Sequence, residues 1–163
     1  VAVLDSTSAK LILALGLGLA LALIVVLIAV ERAFTGLVER AQEREQILHH
    51  VHCEARRVDV PPELVLAVMD VESRFDRYAV SSAGAVGLMQ VMPFWPRELG
   101  MSNEQLVRIP DNVRMGTTIL GYYLRKERGN YQRALQRYNG SLGRPHYSDL
   151  VIDRLASRWT VAD

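Results

Sequence analysis

The sequence is short of several features that would assign it to a familiar class. It has one cysteine, Cys53, in 163 residues, which excludes an internal disulfide. With 19 basic and 18 acidic side chains its net charge is +1, and this small charge excludes a strongly basic nucleic-acid binder. Half of the residues are hydrophobic, which excludes a disordered tail protein. Alternating strand patterns of any length are also missing, so we predict a mostly α-helical fold.

One segment is far more apolar than the rest. Leu11 to Val30 is twenty residues long and carries no charge. A helix of that length covers about 30 Å, the thickness of the hydrocarbon core of a bilayer. A cleaved secretory signal is the alternative, although its apolar region usually runs about 7–15 residues. We therefore predict a tail over residues 1–10, a transmembrane helix over 11–30 in contact with lipid, a helical stalk over 31–48, and a globular domain over 49–163.

The charges that flank this segment bear on its orientation. Lys10 precedes it, whereas Arg32, Arg40 and Arg44 follow it. Counted alone, the positive-inside tendency places the following domain in the cytoplasm. The segment also contains small residues at a spacing that supports helix pairing, which leaves a homodimer open: Ala14, Gly18 and Ala22.

A group of potential metal ligands follows the stalk: His49, His50, His52 and Cys53. On a helix, His49 and Cys53 share a face, which suggests zinc. His146 is the only other histidine, so the sequence offers no second ligand cluster. We predict no metal and no cofactor.

An acidic residue occupies an apolar stripe of the next predicted helix, which begins at Pro61-Pro62. At about 100° per residue, Val65, Val68 and Met69 lie within about 60° of Glu72, whereas Glu63 and Asp70 project toward expected solvent. A carboxyl among apolar neighbours has a raised pKa and suits a general acid. The alternative, a side chain that escapes to water at the helix end, carries equal weight from the helix alone.

The segments after this helix have features of a binding cleft. A turn of small residues over 81–87 allows close backbone approach, and Leu88 to Pro93 adds an amide and two thioethers. Phe94 and Trp95 then offer an aromatic surface for sugar rings. Three further helices are predicted: one that ends at Gly129 and is capped by Asp111 or Asn112, one over Tyr131 to Tyr138, and one over Tyr147 to Trp159.

Together these motifs resemble the SLT-type lytic transglycosylases, bacterial enzymes of lysozyme-like fold that cleave peptidoglycan. The resemblance covers roughly His49 to Trp159. It depends on four motifs in order: Glu72-Ser73, Gly87-Leu88-Met89-Gln90 with Met92-Pro93, Asn112 with Gly116, and Tyr138-Asn139-Gly140. The family often has Thr-Ala where this chain has Trp95-Pro96, and its run after Tyr-Asn differs from residues 140–145 here, so substrate length and glycan preference are in doubt.

The resemblance implies a role for each matching residue. Glu72 is the catalytic acid and base. The implied substrate-binding residues are Ser81, Gln90, Met92, Tyr138 and Asn139, and the hydroxyl of Tyr138 orients the catalytic carboxyl. The implied structural residues near the site are Ser73, Gly87 and Asn112, the last as a helix cap.

The implied reaction cleaves the β-1,4 bond between N-acetylmuramic acid (MurNAc) and N-acetylglucosamine (GlcNAc) in peptidoglycan strands and leaves 1,6-anhydro ends. One glutamate then suffices, because the muramyl 6-hydroxyl is the nucleophile. Asp70 projects away and Asp76 lies beyond the helix end, where it turns the chain. Two alternatives stay open: a goose-type lysozyme relative that uses water, and a non-catalytic peptidoglycan-binding scaffold. Since peptidoglycan lies outside the bacterial inner membrane, the resemblance implies a single-pass protein with a periplasmic catalytic domain, against the basic-residue count.

Overall fold

The computed structural model describes residues 6–160, and within the first helix it describes the side chains of Thr7 and of residues from 16 onward. Between residues 6 and 160 it contains no strand, and only two isolated backbone bridges join Val86 to Val80 and Val91. The mostly helical fold class is confirmed. The helices are α1 Ser6–Val58, α2 Pro62–Glu72, α3 Trp95–Glu98, α4 Ile109–Lys126, α5 Tyr131–Tyr138 and α6 His146–Arg154, with a 3-10 segment Asn103–Val107 and a π-helical turn Leu155–Trp159.

The chain divides into two compact units, Val1–Arg44 and Glu45–Asp163. Helix α1 is long and apolar enough to cross a membrane. Its side chains from residue 16 to 30, which belong to the first unit, are exposed. Of the predicted tail, residues 1–5 lie outside the described part, and residues 6–10 already belong to α1. The side chain of Ala14 lies outside the described residues as well, so the homodimer stays a prediction.

The second unit has its core on the end of α1 and on α2 and α4. Ile47, Val51 and Ala55 follow one another at intervals of four residues along α1, and all three are buried. This spacing places them on one face of the helix, which becomes the core face. The largest fully buried side chains elsewhere in the core are Leu64, Met69, Leu88, Met89, Ile109, Met115, Leu120 and Leu135.

Asn112 corrects one expectation. Helix α4 begins at Ile109 after Arg108, so Asn112 lies inside the helix and does not cap it. Its side chain is 1% exposed and bonds instead to the segment over 86–89 and to the 3-10 segment. A cap bonds to its own helix, whereas this amide bonds to two segments outside the helix.

The structure also corrects the expectation that Asp70 faces solvent. The helical spacing predicted solvent on its side of α2, but the side chain is 7% exposed because α6 and the π-helical turn pack there. Its Oδ2 accepts a hydrogen bond from Arg158 at 3.3 Å and lies 3.6 Å from the guanidinium of Arg154. Buried charges in proteins are paired, and this pairing joins α2 to the end of the chain.

Candidate active site

Glu72 is the last residue of α2, and the next residue fixes the helix end against a loop. The hydroxyl of Ser73 donates to the carbonyl of Leu88 at 2.8 Å and also lies 3.3 Å from the carbonyl of Met69, one turn back in the helix. Ser73 thus has a structural role. It holds the loop over residues 79–92 beside the catalytic candidate.

The side chain of Glu72 is partly buried, and the loss of solvent around its carboxyl governs its protonation. Desolvation raises its pKa from 4.5 to about 7, while a hydrogen bond from Tyr147 works in the opposite direction. At neutral pH the acid and the carboxylate are therefore present in comparable amounts. A group poised in this way can give a proton to a leaving oxygen and take one from a nucleophile.

Tyr147 supplies the hydrogen bond to this carboxyl. Its hydroxyl donates to Oε1 of Glu72 at 2.6 Å from the first turn of α6. Burial and the nearby Glu72 charge raise the pKa of Tyr147 well above 10, so the phenol stays a donor throughout the useful pH range. The sequence interpretation assigned no role to this side chain. One signal was available, since Tyr147 lies four residues before the apolar Val151 and so shares its buried face.

A buried amide supports the segment that carries Tyr147. Gln136 accepts a hydrogen bond at Oε1 from the backbone N–H of Gly143 at 2.9 Å, and its Nε2 lies 3.3 Å from the hydroxyl of Ser148. That hydroxyl in turn donates to the carbonyl of Pro145 at 2.7 Å. These bonds connect α5, the following loop and the first turn of α6, which fixes the direction of the Tyr147 side chain.

Tyr138 does not make the contact expected of it. Its hydroxyl donates to the carbonyl of Met89 at 2.7 Å, and the hydroxyl bonded to Glu72 belongs to Tyr147. Burial and the charge of Glu72 raise the pKa of Tyr138 well above 10. The hydrogen bond to Glu72 that the resemblance implied for Tyr138 is thus made by Tyr147 in the structure, and a substrate-binding role of Tyr138 stays a prediction.

Two residues fix the backbone that receives the Tyr138 bond. Oδ1 of Asn112 accepts from the N–H of Met89 at 2.8 Å, and its Nδ2 donates to the carbonyls of Val86 at 2.9 Å and Leu106 at 2.7 Å. Gly87 has a φ of +83°, and a Cβ there would lie 2.4 Å from Nδ2 of Asn112. Both the backbone conformation and the close approach require glycine at this position.

This geometry agrees with a comparison of the sequence with known protein families. The sequence model of the family described as the Transglycosylase SLT domain matches residues 51–147. The chain belongs to this family. The match begins in the buried end of α1 and includes both Glu72 and Tyr147, and it confirms the resemblance drawn from the motifs.

Curated relatives and solved structures agree with the SLT family assignment. Membrane-bound lytic murein transglycosylase C of Actinobacillus pleuropneumoniae (serotype 5b, strain L20) is 52% identical over 48 residues, which are 29% of this chain and 13% of that protein. The protein of the same name from Haemophilus influenzae (strain PittEE) is 49% identical over 39 residues, or 24% of this chain and 11% of its own.

Among solved structures, an inactive mutant of the lytic transglycosylase Slt from Pseudomonas aeruginosa superposes with a TM-score of 0.54 at 26% identity, over 68% of this chain and 20% of its own. A 70-kDa soluble lytic transglycosylase in complex with bulgecin A gives a TM-score of 0.54 at 24% identity, over 68% of this chain and 19% of that one, and shows the fold alone. The lysozyme-like fold is thereby confirmed. The chain spans only about an eighth of the length of the first curated relatives it matches.

Within the SLT segment, two of the predicted substrate ligands hold the loop itself. Nε2 of Gln90 donates to the carbonyls of Ala79 and Gly87, each at 3.0 Å, and Oγ of Ser81 accepts from the N–H of Ala85 at 3.0 Å. These contacts give both side chains a structural role. Their contact with substrate stays a prediction.

Two further predicted ligands, Met92 and Asn139, are at least partly accessible. Met92 is partly buried at the end of the loop, and Asn139 is exposed just after α5, where its N–H bonds to the carbonyl of Leu135 at 3.0 Å. Their positions leave both side chains free to meet a ligand, and their role also stays a prediction.

The histidines of α1 do not form a recognisable metal centre. Sγ of Cys53 lies 3.8 Å from Nε2 of His49, as expected for side chains four residues apart on a helix. Within the part of the chain that the structure describes, no group of three or more His, Cys, Asp or Glu side chains converges on one point.

Proposed function

We propose that this chain is a membrane-anchored lytic transglycosylase that cleaves the MurNAc-β-1,4-GlcNAc bond of peptidoglycan. The observation that supports this most strongly is the partly buried carboxyl of Glu72, with a pKa of about 7 and a tyrosine hydroxyl at 2.6 Å. Membership of the SLT family and the names of the relatives, which are murein transglycosylases, agree with the proposal.

Glu72 acts first as an acid. The protonated carboxyl donates its proton to the bridging glycosidic oxygen, so that the bond from this oxygen to the anomeric carbon of the muramyl residue breaks as an oxocarbenium-like centre develops. The GlcNAc part leaves with its hydroxyl restored. Burial favours the neutral acid before this step, and the Tyr147 hydroxyl stabilises the carboxylate that forms in it.

The same carboxylate then acts as a base. It takes the proton of the muramyl 6-hydroxyl while that oxygen attacks the anomeric carbon of its own ring. The product has a 1,6-anhydro bridge, no water is consumed, and Glu72 regains its proton. An intramolecular nucleophile of this kind removes the need for the second carboxylate that most glycosidases use.

The carboxylates closest to Glu72 in sequence have partners elsewhere, which agrees with a single-glutamate mechanism. Asp70 is paired with Arg154 and Arg158. Oδ1 of Asp76 accepts from the N–H of Tyr78 at 2.9 Å, so this side chain turns the chain after the helix.

Product analysis tests the proposal. Purified sacculi digested with the full chain in detergent are expected to release muropeptides with 1,6-anhydro ends, each lighter by one water than the hydrolysed product. Reducing ends alone would contradict the lyase reaction and favour a lysozyme-like hydrolase. Binding to sacculi without any release would favour the scaffold.

We also propose that residues 11–30 anchor the protein in the bacterial inner membrane as a single span, with the domain over 49–163 in the periplasm. The exposed apolar face of α1 and the words "membrane-bound" in the names of the relatives support the anchor. The location of peptidoglycan supports the orientation. Protease added to spheroplasts is expected to degrade the domain, and protection of the domain would contradict this orientation.

A further inference from the structure

An open depression is lined by residues between Pro93 and Glu104, which follow the predicted cleft residue Met92 in sequence. Its volume is about 650 Å³, within the range of small-molecule sites. Pro93 is the first residue of its lining. The chain turns at this point, because the carbonyl of Met92 accepts a hydrogen bond from the N–H of Trp95 at 3.0 Å. Its aromatic, charged and polar lining residues are Phe94, Arg97, Ser102, Asn103 and Glu104.

Phe94 gives this pocket an aromatic surface. Its side chain is 54% exposed, and its ring centroid lies 5.3 Å from that of Trp95, at an interplanar angle of 33°. Trp95 is partly buried and packs against the core, so it fixes the neighbouring ring in place. An exposed, fixed aromatic face suits a flat apolar partner such as the C–H face of a sugar ring, because the ring face is electron-rich.

The charges in the pocket are of both signs. The side chain of Arg97 is 89% exposed, and a surface contact of 3.7 Å with Glu98, which contributes little energy, leaves it ready for another carboxylate. Glu104 remains ionised at neutral pH because bonds from Ser102 and from its own backbone lower its pKa. The exposed amide of Asn103 adds a donor and an acceptor. A ligand that fits all of these groups carries both a carboxylate and hydrogen-bond donors.

From this arrangement we infer that the pocket over residues 93–104 is a subsite for a peptide-bearing muramyl residue. The sugar ring stacks on Phe94, and Arg97 pairs with a carboxylate of the peptide branch. The inference rests on the proposed function, because it takes peptidoglycan as the ligand. It assigns a recognition role to the segment Phe94-Trp95-Pro96-Arg97, in which this chain departs from the usual family sequence.

Binding measurements with two ligands test this role. Chitotetraose offers N-acetylated sugar rings and no carboxylate, whereas a tetrasaccharide muropeptide offers rings and carboxylates. Both are titrated calorimetrically into the full chain in detergent, in a Glu72→Gln background that prevents turnover. Arg56→Ala and Tyr122→Ala serve as controls, since both are exposed side chains outside the pocket.

The two pocket variants are expected to differ in selectivity. Arg97→Ala is expected to weaken muropeptide binding about threefold and to leave chitotetraose binding unchanged, because only the complex with the muropeptide loses an ion pair and this pair is solvent-exposed. Phe94→Ala is expected to weaken both ligands severalfold. Equal effects of Arg97→Ala on both ligands, or no effect of either variant, would overturn the inference.

This outcome is separable from the test of the reaction. If the selectivity is observed but wild-type protein releases no anhydro products, the subsite stands and the proposed reaction fails. If wild-type protein releases anhydro products while both pocket variants bind like the controls, the reaction stands and the subsite fails.

Discussion

Replacing Tyr147 by phenylalanine removes one hydroxyl and, with it, the hydrogen bond of 2.6 Å to Oε1 of Glu72. The ring remains, so the packing of α6 against α2 is largely kept. The lost bond favours the carboxylate, which means that it lowers the pKa of Glu72 against the larger effect of burial. Its removal is therefore expected to raise that pKa above about 7.

The size of the effect follows from the strength of the bond. A hydrogen bond to a charged group contributes roughly 1.5–3 kcal/mol, and part of this survives in the neutral acid. Since about 1.4 kcal/mol corresponds to one pKa unit, we expect the pKa of Glu72 to rise by about one. The orientation of the carboxyl suffers at the same time, so the maximum rate should fall about tenfold.

The assay is the pH dependence of kcat/KM on a soluble peptidoglycan fragment, measured from pH 5 to 9. Activity requires protonated Glu72, so wild-type activity is expected to decline as pH rises through about 7. In Tyr147→Phe this decline moves to higher pH while the maximum is lower. Tyr122→Phe is the control, because Tyr122 is exposed on α4 and its hydroxyl bonds only to Lys126 at 3.4 Å.

An unmoved decline, or one that moves to lower pH, would refute the assignment of the Tyr147 hydroxyl to the charged form of Glu72. A lower maximum of kcat/KM without the pH shift would not support the assignment, since any disturbance of the site lowers the rate. Only the direction of the pH shift distinguishes loss of this bond from a general loss of structure.

Three further predictions concern stability. The pKa of Glu72 is about 7 in the fold against 4.5 in the unfolded chain, so the contribution of this residue to stability is greatest below pH 4.5 and falls by up to about 3 kcal/mol as the pH rises through 7. The melting temperature of Glu72→Gln should therefore exceed that of wild type at about pH 8 and match it at pH 4.5. Asn112→Ala leaves the N–H of Met89 and the carbonyl of Leu106 without a partner, whereas the carbonyl of Val86 keeps its bond from the N–H of Val91; urea unfolding should show a loss of roughly 2–3 kcal/mol. A Cβ on Gly116 would lie 2.4 Å from Sδ of Met89, so Gly116→Ala should cost about 1–3 kcal/mol in the same assay, and wild-type stability would contradict this packing.

The position of Glu72 was predictable because it follows from the periodicity of one helix. Val65, Val68 and Met69 define an apolar stripe, and the acid continues it. The helix alone left burial and escape to water equally open, and the motifs that follow favoured burial. The bounds of α5, Tyr131–Tyr138, were predictable from a different local signal, because Asn139-Gly140 is a stop signal for a helix.

The contacts made across the fold were not predictable in this way. Tyr147 lies 75 residues beyond Glu72, and no local pattern connects a phenol in one helix to a carboxyl in another. The burial of Asp70 was unpredictable for the same reason, because it also depends on contacts with a segment distant in sequence. Its face of α2 looked solvent-exposed because the helix alone does not reveal that α6 and two arginines cover it. Tertiary packing overrides the expectation from a single helix.

Asn112 illustrates how a correct residue can receive a wrong role. An amide at the start of a helix is usually a cap, and the sequence predicted one. The helix begins three residues earlier, at Ile109, so the amide is turned inward to the backbone of Met89. Helix boundaries are uncertain by a few residues from sequence, and here that uncertainty changes the function of the side chain.

The most direct test of the central claim compares Glu72→Gln with Glu63→Gln on purified sacculi. Both changes replace a glutamate of α2 by its amide, but Glu63 lies in the first turn and Glu72 in the last. The measurement is the initial rate of release of 1,6-anhydro muropeptides. We predict a loss of at least about 100-fold for Glu72→Gln and near wild-type release for Glu63→Gln. Release at the wild-type rate by Glu72→Gln would contradict the account.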